Sequence, residues 1–212
     1  MNTILEIQNL SKEIKNRTLL KNIHMKIDKP GIYGIIGRNG SGKSILFKTI
    51  AGLLVPSKGV VKVFDEDIGT GKFPKNFGAL LDIPGFLPHY SGIRNLKLLG
   101  SIQNRVTEED IRKVLTLVGL NPDDKNAVRK YSLGMKQRLG IAQAIMEKPE
   151  LLILDEPMNG LDESGVSDIR NMLINFKKQG MTILLASHNA EDISLLCDSV
   201  YKMDNGELTQ LH

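Results

Sequence analysis

Eight residues, Gly37-Arg38-Asn39-Gly40-Ser41-Gly42-Lys43-Ser44, constrain this chain more than any other stretch, because they meet the pattern G-x-x-x-x-G-K-[ST] at every fixed position. The pattern brings backbone N–H groups close to a polyphosphate, and glycines at the tight turns allow that approach without a Cβ clash. Lys43 is placed to reach the β- and γ-phosphates as a point charge, and the Ser44 hydroxyl to sit on Mg²⁺. The apolar run Gly31-Ile32-Tyr33-Gly34-Ile35-Ile36 before the loop reads as a buried strand. After it, Ile45, Leu46, Ile50, Leu53 and Leu54 recur at helical spacing, so the phosphates are expected to meet a helix N-terminus.

Composition narrows the setting. A chain of 212 residues has room for one domain, or one with a lobe inserted. No apolar run approaches the ~18 residues that span a bilayer. The stretch Met1-Asn2-Thr3-Ile4-Leu5-Glu6 has no basic region followed by an apolar core, so no signal peptide is expected. The single cysteine, Cys197, allows no internal disulfide and reads as a small core residue in a reducing compartment. Basic residues number 28 against 24 acidic, a net charge of +4, which leans towards anionic partners without choosing among nucleotide, lipid surface and nucleic acid.

In chain order, residues 3–9 and 19–27 read as a hairpin across the polar turn at Lys15, Asn16 and Arg17. A third strand, 59–64, completes a small antiparallel layer beside the phosphate loop, and 65–76 reads as a surface loop. Residues 77–81 form another strand, broken by Asp82-Ile83-Pro84-Gly85-Phe86-Leu87-Pro88; from there to about Lys148 the pattern is helical, as in an inserted lobe. Within it Thr107 and Asp110 match a capping box, and Ile111, Val114, Leu115 and Val118 share one face of a helix ended by Gly119. From Pro149 strands (151–154, 182–186, 200–203) alternate with helices (164–178, 190–196), and Asn205-Gly206 is a hairpin turn into a last strand. The expected fold class is therefore α/β: a P-loop NTPase core with a mainly parallel sheet and flanking helices, a small antiparallel β layer and an inserted α-helical lobe. The whole chain, 1–212, reads as one domain, with 1–82 and 149–212 as core and 83–148 as lobe.

Leu151-Leu152-Ile153-Leu154-Asp155-Glu156-Pro157 is an aliphatic strand that ends in two carboxylates and a helix-breaking proline. A buried parallel strand reads this way, and the C-terminal ends of such strands are where open α/β sheets bind ligands. Asp155 is placed to hold Mg²⁺, and Glu156 to polarise a water against the γ-phosphate. Between the two motifs lies Tyr131-Ser132-Leu133-Gly134-Met135-Lys136-Gln137-Arg138, with Ser132 as N-cap and Gly134 leaving backbone N–H groups open to an anion.

That segment resembles the signature motif of ATP-binding cassette (ABC) proteins. Asn159-Gly160-Leu161-Asp162 resembles the family's D-loop, and Ser187-His188 its switch histidine. The resemblance covers nearly the whole chain in the family's order. It implies ATP and Mg²⁺ as cofactors and a head-to-tail pair of cassettes, a homodimer or a paralogue pair. ATP is then sandwiched between the P-loop of one chain and Ser132 and Gly134 of the other, with Asp162 also at the nucleotide and His188 on the γ-phosphate. It also implies an integral membrane transporter subunit as partner and a peripheral position on the cytoplasmic face of the cell membrane.

Three departures from the family pattern involve four positions. Leu133 replaces a glycine of the signature, and Met135 its glutamine. Ile14 stands where an aromatic residue usually stacks on adenine, leaving an aliphatic contact. Asp82 stands where a glutamine usually ends the strand entering the lobe and is expected beside the metal. An acid there, with the signature Tyr-Ser-Leu-Gly-Met-Lys-Gln-Arg, resembles the export cassettes associated with peptide antibiotics. The reading is an ATP-hydrolysing subunit of a membrane exporter, with a docking groove around Phe86, Leu87, Pro88, Tyr90 and Ile93, whose other reading is lobe core. Two alternatives belong to other classes. A cassette acting on nucleic acid or ribosomes shares the motifs, but usually brings a long coiled coil or a second cassette, and no nucleic acid is expected here. Another P-loop NTPase, a GTPase or small-molecule kinase, finds only Lys202 and Asp204 of the guanine-reading pattern in Tyr201-Lys202-Met203-Asp204.

Overall fold

The computed structural model describes residues 3–82 and 85–211. The strand break expected at Ile83 and Pro84 and the first two residues of the N-terminal stretch thus lie outside the described residues. Strands β1 (Leu5–Ile14) and β2 (Arg17–Ile27) form an antiparallel hairpin. Lys15 and Asn16 between them have φ of 47° and 59°. Both central residues are left-handed, which is the two-residue turn whose twist matches that of paired strands. After β3 (Ile32–Ile36) and α1 (Lys43–Ile50), β4 (Lys58–Val63) pairs with the free edge of β1. A two-residue strand β5 (Glu66–Asp67) then adds to β4, so the segment expected as plain loop contributes the edge of a four-stranded sheet ordered β2-β1-β4-β5.

The second sheet is built from β6 (Phe77–Leu80), β7 (Leu151–Asp155), β8 (Thr182–Ala186), β9 (Ser199–Asp204) and β10 (Glu207–Gln210) together with β3, in the order β10-β9-β3-β8-β7-β6. All its pairings are parallel except the β9–β10 hairpin. β7 is aliphatic from Leu151 to Leu154 and β8 from Ile183 to Ala186 because both faces are covered. Leu152, Leu154, Ile183 and Leu185 point into one buried cluster, while Leu151, Ile153, Leu184 and Ala186 point into the other, shared with α1 and the antiparallel sheet.

The helical segment holds α2 (Gly92–Gly100), α3 (Glu108–Leu117), a 3₁₀ turn at Val128–Lys130 and α4 (Leu133–Ile145). It shares its core with the sheet: Leu96, Ile111, Leu115 and Leu139 belong to the same buried cluster as Leu80, Leu152 and Leu154. The close approach of α4 to β6 depends on Gly78, where a Cβ would collide with the carbonyl oxygen of Ala144. The remaining helices, α5 (Glu163–Lys178) and α6 (Ala190–Leu196), follow β7 and β8.

The capping box of α3 is present in both directions. The Asp110 N–H donates to Thr107 Oγ1 at 3.1 Å, and the Thr107 N–H donates to Asp110 Oδ2 at 3.2 Å. Hydrogen bonds from the Thr107 side chain, from Lys148 and from the Thr107 backbone hold the Asp110 carboxyl down, at about 2. A depressed folded value means that the cap contributes above the ordinary aspartate range and is lost as pH falls through about 2. A ¹³C titration of the Asp110 carboxyl should therefore show it still ionised where free aspartates are half protonated, and Thr107→Ala should raise its midpoint. An ordinary midpoint in the unaltered chain would contradict the cap.

Candidate functional site: a phosphate-loop cleft

The phosphate loop leaves β3 and enters α1, and its last glycine, Gly42, is the N-cap of that helix with φ 119°. No side chain caps this helix and its first turn carries no acid. Its N-terminal N–H groups and the positive end of the helix dipole are thus left for an anion. Lys43 is 7 % exposed and donates from Nζ to the carbonyl oxygens of Gly37 at 2.7 Å and Arg38 at 3.4 Å. The loop holds its own cation inside itself.

Parallel pairing of β3, β8 and β7 brings the acidic strand end opposite the loop. Ser44 Oγ donates to Asp155 Oδ2 at 2.6 Å, across 111 residues of sequence. Burial pushes the Asp155 carboxyl above its usual range; the Ser44 hydrogen bond and Lys43 pull the other way, and nearby Asp82 adds to the rise. Asp82 itself lies 2.8 Å from Lys48 Nζ on α1.

Glu156 has φ 53°, a left-handed conformation costly for a residue with a side chain. That turn takes the chain out of β7 while the Glu156 N–H donates to Ala186 O at 3.0 Å. Its carboxylate faces the end of β8, where Oε2 lies 2.8 Å from His188 Nδ1 and accepts from the His188 N–H at 3.4 Å.

These elements enclose a cleft of about 870 Å³, lined by residues 38–45 with Asp82, Asp155, Glu156 and Asn159, by Thr18, Leu19 and Lys21 of β2, and by Asn205 and Gly206. Leu133 and Gln137 of α4 close its lobe side, and Gln137 Nε2 donates to the Glu156 carbonyl oxygen at 3.0 Å.

The structure thus gathers Arg38, Asn39, Gly40, Ser41, Gly42, Lys43, Ser44, Asp82, Asp155 and Glu156 around one cleft, with His188 on Glu156 and Gly37 holding Lys43. Ser132, Gly134, Asp162 and Ile14 do not line it. Ser132 caps α4, accepting from the Met135 N–H at 3.1 Å, and Asp162 caps α5, accepting from Gly165 N–H at 3.1 Å. The departing Leu133 side chain lies over Gly160, where a Cβ would come within 2.7 Å of it. Ile14 pairs with Arg17 at the hairpin turn, and the cleft wall on that side is made by Thr18, Leu19 and Lys21 instead. Gln137 escaped sequence reasoning as part of this cleft, because its partner, the Glu156 carbonyl, is 19 residues away and an amide side chain carries no pattern of its own.

The residues present fit a nucleotide and a hard cation. The Ser41 hydroxyl is buried without a hydrogen-bond partner, an orphan of the kind that phosphate oxygens satisfy. The hydroxyl of Ser44 and the carboxylates of Asp155 and Asp82 are all oxygen donors. Few protein oxygens beside phosphates is the set that suits Mg²⁺.

Sheet order, helix-capped phosphate loop and paired carboxylates define a P-loop nucleoside-triphosphatase. The family model described as ABC transporter matches residues 20–159. The chain is 43 % identical over 206 residues to the uncharacterized ABC transporter ATP-binding protein YybJ of Bacillus subtilis (strain 168), covering 97 % of this chain and 94 % of that protein. It is 38 % identical to the lantibiotic transport ATP-binding protein SrtF of Streptococcus pyogenes, covering 97 % of this chain and 89 % of the relative. Among solved structures, a nucleotide-free ATP-binding cassette from an ABC transporter superposes with a TM-score of 0.86 at 26 % identity, over 98 % of this chain and 90 % of the other. This chain belongs to the ABC transporter family, as one of its ATP-binding, ATP-hydrolysing subunits.

Proposed function

We propose that this cassette powers export of an antimicrobial peptide or a related molecule, acting as one of a head-to-tail pair on the cytoplasmic face of a membrane. The observation that carries the nucleotide half of this reading is the Ser44–Asp155 hydrogen bond, which joins the phosphate loop to the acidic strand in one cleft. The export half is supported by the names of relatives: beside the lantibiotic protein, the bacitracin transport ATP-binding protein BcrA of Enterococcus faecalis is 39 % identical over 99 % of this chain and 69 % of its own length. Among the described residues no helix is long and apolar enough to cross a membrane. The pathway is proposed to lie in an integral membrane transporter subunit.

In this reading the loop amides, Ser41 and Lys43 bind the phosphates, and Ser44, Asp155 and Asp82 hold Mg²⁺. An ion held by these oxygens would supply positive charge at the phosphates. Glu156 orients and polarises the attacking water, and His188 Nε2 is free to contact the γ-phosphate because Nδ1 is engaged by Glu156. Ser132 and Gly134 at the start of α4, together with Asp162, serve the nucleotide of the second cassette. Residues 1–82 with 149–212 serve as the nucleotide-binding core and 83–148 as the lobe that carries the signature helix, and the pair of cassettes closes on ATP and opens after hydrolysis.

Isolating the tagged chain from solubilised membranes of its own cell tests the assignment. An integral membrane polypeptide should co-purify in stoichiometric amount. Recovery with ribosomes or nucleic acid instead, with steep loss on raising salt, would overturn it.

A further inference from the structure

Asp192 is 1 % exposed and takes part in none of the contacts assigned above. A carboxylate that deep persists when both of its oxygens are paired or hydrogen-bonded. Asp192 Oδ1 accepts from Arg170 Nε at 2.8 Å and from Arg170 Nη2 at 2.5 Å, while Oδ2 accepts from the Ser187 hydroxyl at 3.0 Å. Arg170 Nη2 also donates to Glu191 Oε2 at 2.9 Å. Ser187, itself 3 % exposed, accepts from the Asn189 N–H at 3.1 Å.

His188 lies between those two tethered residues. Its side chain is 70 % exposed, so little packing fixes the ring, and its aim at Glu156 depends on the backbone that carries it. That backbone is fastened through Ser187 and Asp192 to Arg170, in the middle of the 16-residue helix α5. We propose that Asp192, with Arg170 as its counter-ion, is a positioning residue that holds the turn at 187–189 so that the His188 ring meets Glu156. The proposal rests on the reading of Glu156 and His188 given above, and it adds the support that reading lacks. A functional side chain on an exposed turn needs a second layer of contacts to be held to within a fraction of an ångström.

The test combines ¹⁵N spectra of the His188 ring with steady-state ATP hydrolysis, on the full chain and on Ser187→Ala, Asp192→Asn and Arg170→Lys. Ser187→Ala keeps the Arg170–Asp192 pair and so spares the fold; thermal unfolding confirms this, and it decides the matter if Asp192→Asn does not fold. In folded Ser187→Ala and Asp192→Asn the Nδ1 signature of the hydrogen bond to Glu156 should be lost. The turnover number should fall about ten- to hundredfold, the scale typical of outer-shell supports, while KM for Mg-ATP stays within about twofold. Arg170→Lys keeps a charge but loses the fork, and should lie between. Unchanged His188 ring shifts in the folded Ser187→Ala and Asp192→Asn chains would overturn the proposal. Altered ring shifts with unaltered turnover would uphold the positioning and count against His188 in hydrolysis, so the two failures are distinct.

Discussion

Lys43→Ala should reduce ATP hydrolysis to background. Lys43 lines the cleft at the start of α1, is 7 % exposed, and its ammonium is held by two loop carbonyls. It is the one lysine in the loop, and in the proposed mechanism it supplies the full positive charge at the β- and γ-phosphates. Loss of one preorganised donor at such a position costs about a hundred- to thousandfold in rate, or roughly 2.7–4 kcal/mol. Loss of a full charge should be no smaller. Binding of Mg-ATP should weaken too, since the same charge acts on the bound substrate, so both KM and turnover should worsen. The substitution also removes the hydrogen bonds to Gly37 and Arg38, so thermal unfolding should be recorded beside it. A folded Lys43→Ala chain that turns over ATP at the normal rate would remove the loop from the mechanism.

Glu156→Gln should separate binding from hydrolysis. The amide keeps the size and most of the hydrogen bonding of the carboxylate, including an oxygen that can face His188 Nδ1, but lacks the charge that activates water. Nucleotide binding should survive because Lys43, Ser44 and Asp155 are untouched. Each tenfold loss of rate is about 1.4 kcal/mol of transition-state stabilisation, and several such factors are expected. Unsplit ATP should then keep two cassettes joined, since the γ-phosphate links the loop of one chain to the Ser132 and Gly134 helix of the other in the proposed pair. Sedimentation should show a dimer that depends on Mg-ATP, where the unaltered chain dimerises only transiently. A Glu156→Gln chain that binds Mg-ATP and stays monomeric at every accessible concentration would contradict the sandwich.

Much of this was legible because local chemistry dictated it. The phosphate loop is a fixed spacing of glycines around a lysine, and the aliphatic run 151–154 announces a strand covered on both faces. Thr107 with Asp110, and Asn205-Gly206, are short-range signals whose hydrogen bonds or backbone angles lie within four residues, and the capping box and the β9–β10 turn formed where they were expected. What was hidden depends on contacts between remote residues. The pairing of Arg170 with Asp192 joins residues 22 apart on two helices, and neither stands out in a sequence with 28 basic and 24 acidic side chains. Gly78 gives no sign that α4 will lie on it, since its meaning comes from Ala144 across the fold. The β5 edge strand is only two residues long, too short for alternation to register. The place of Thr18, Leu19 and Lys21 in the cleft wall follows from the hairpin register, which puts them on the returning strand, and the residues themselves carry no pattern that announces it.

In the proposed mechanism Glu156, just beyond β7 and held against His188, sets the rate of ATP cleavage in the phosphate-loop cleft. Single-turnover hydrolysis of radiolabelled Mg-ATP by the purified chain and by Glu156→Gln, at equal and saturating site occupancy, isolates the chemical step from binding and release. Phosphate release is expected from the unaltered chain, and in the variant a rate lower by two or more powers of ten, about 2.7 kcal/mol or more. Equal rates in the two chains would contradict it.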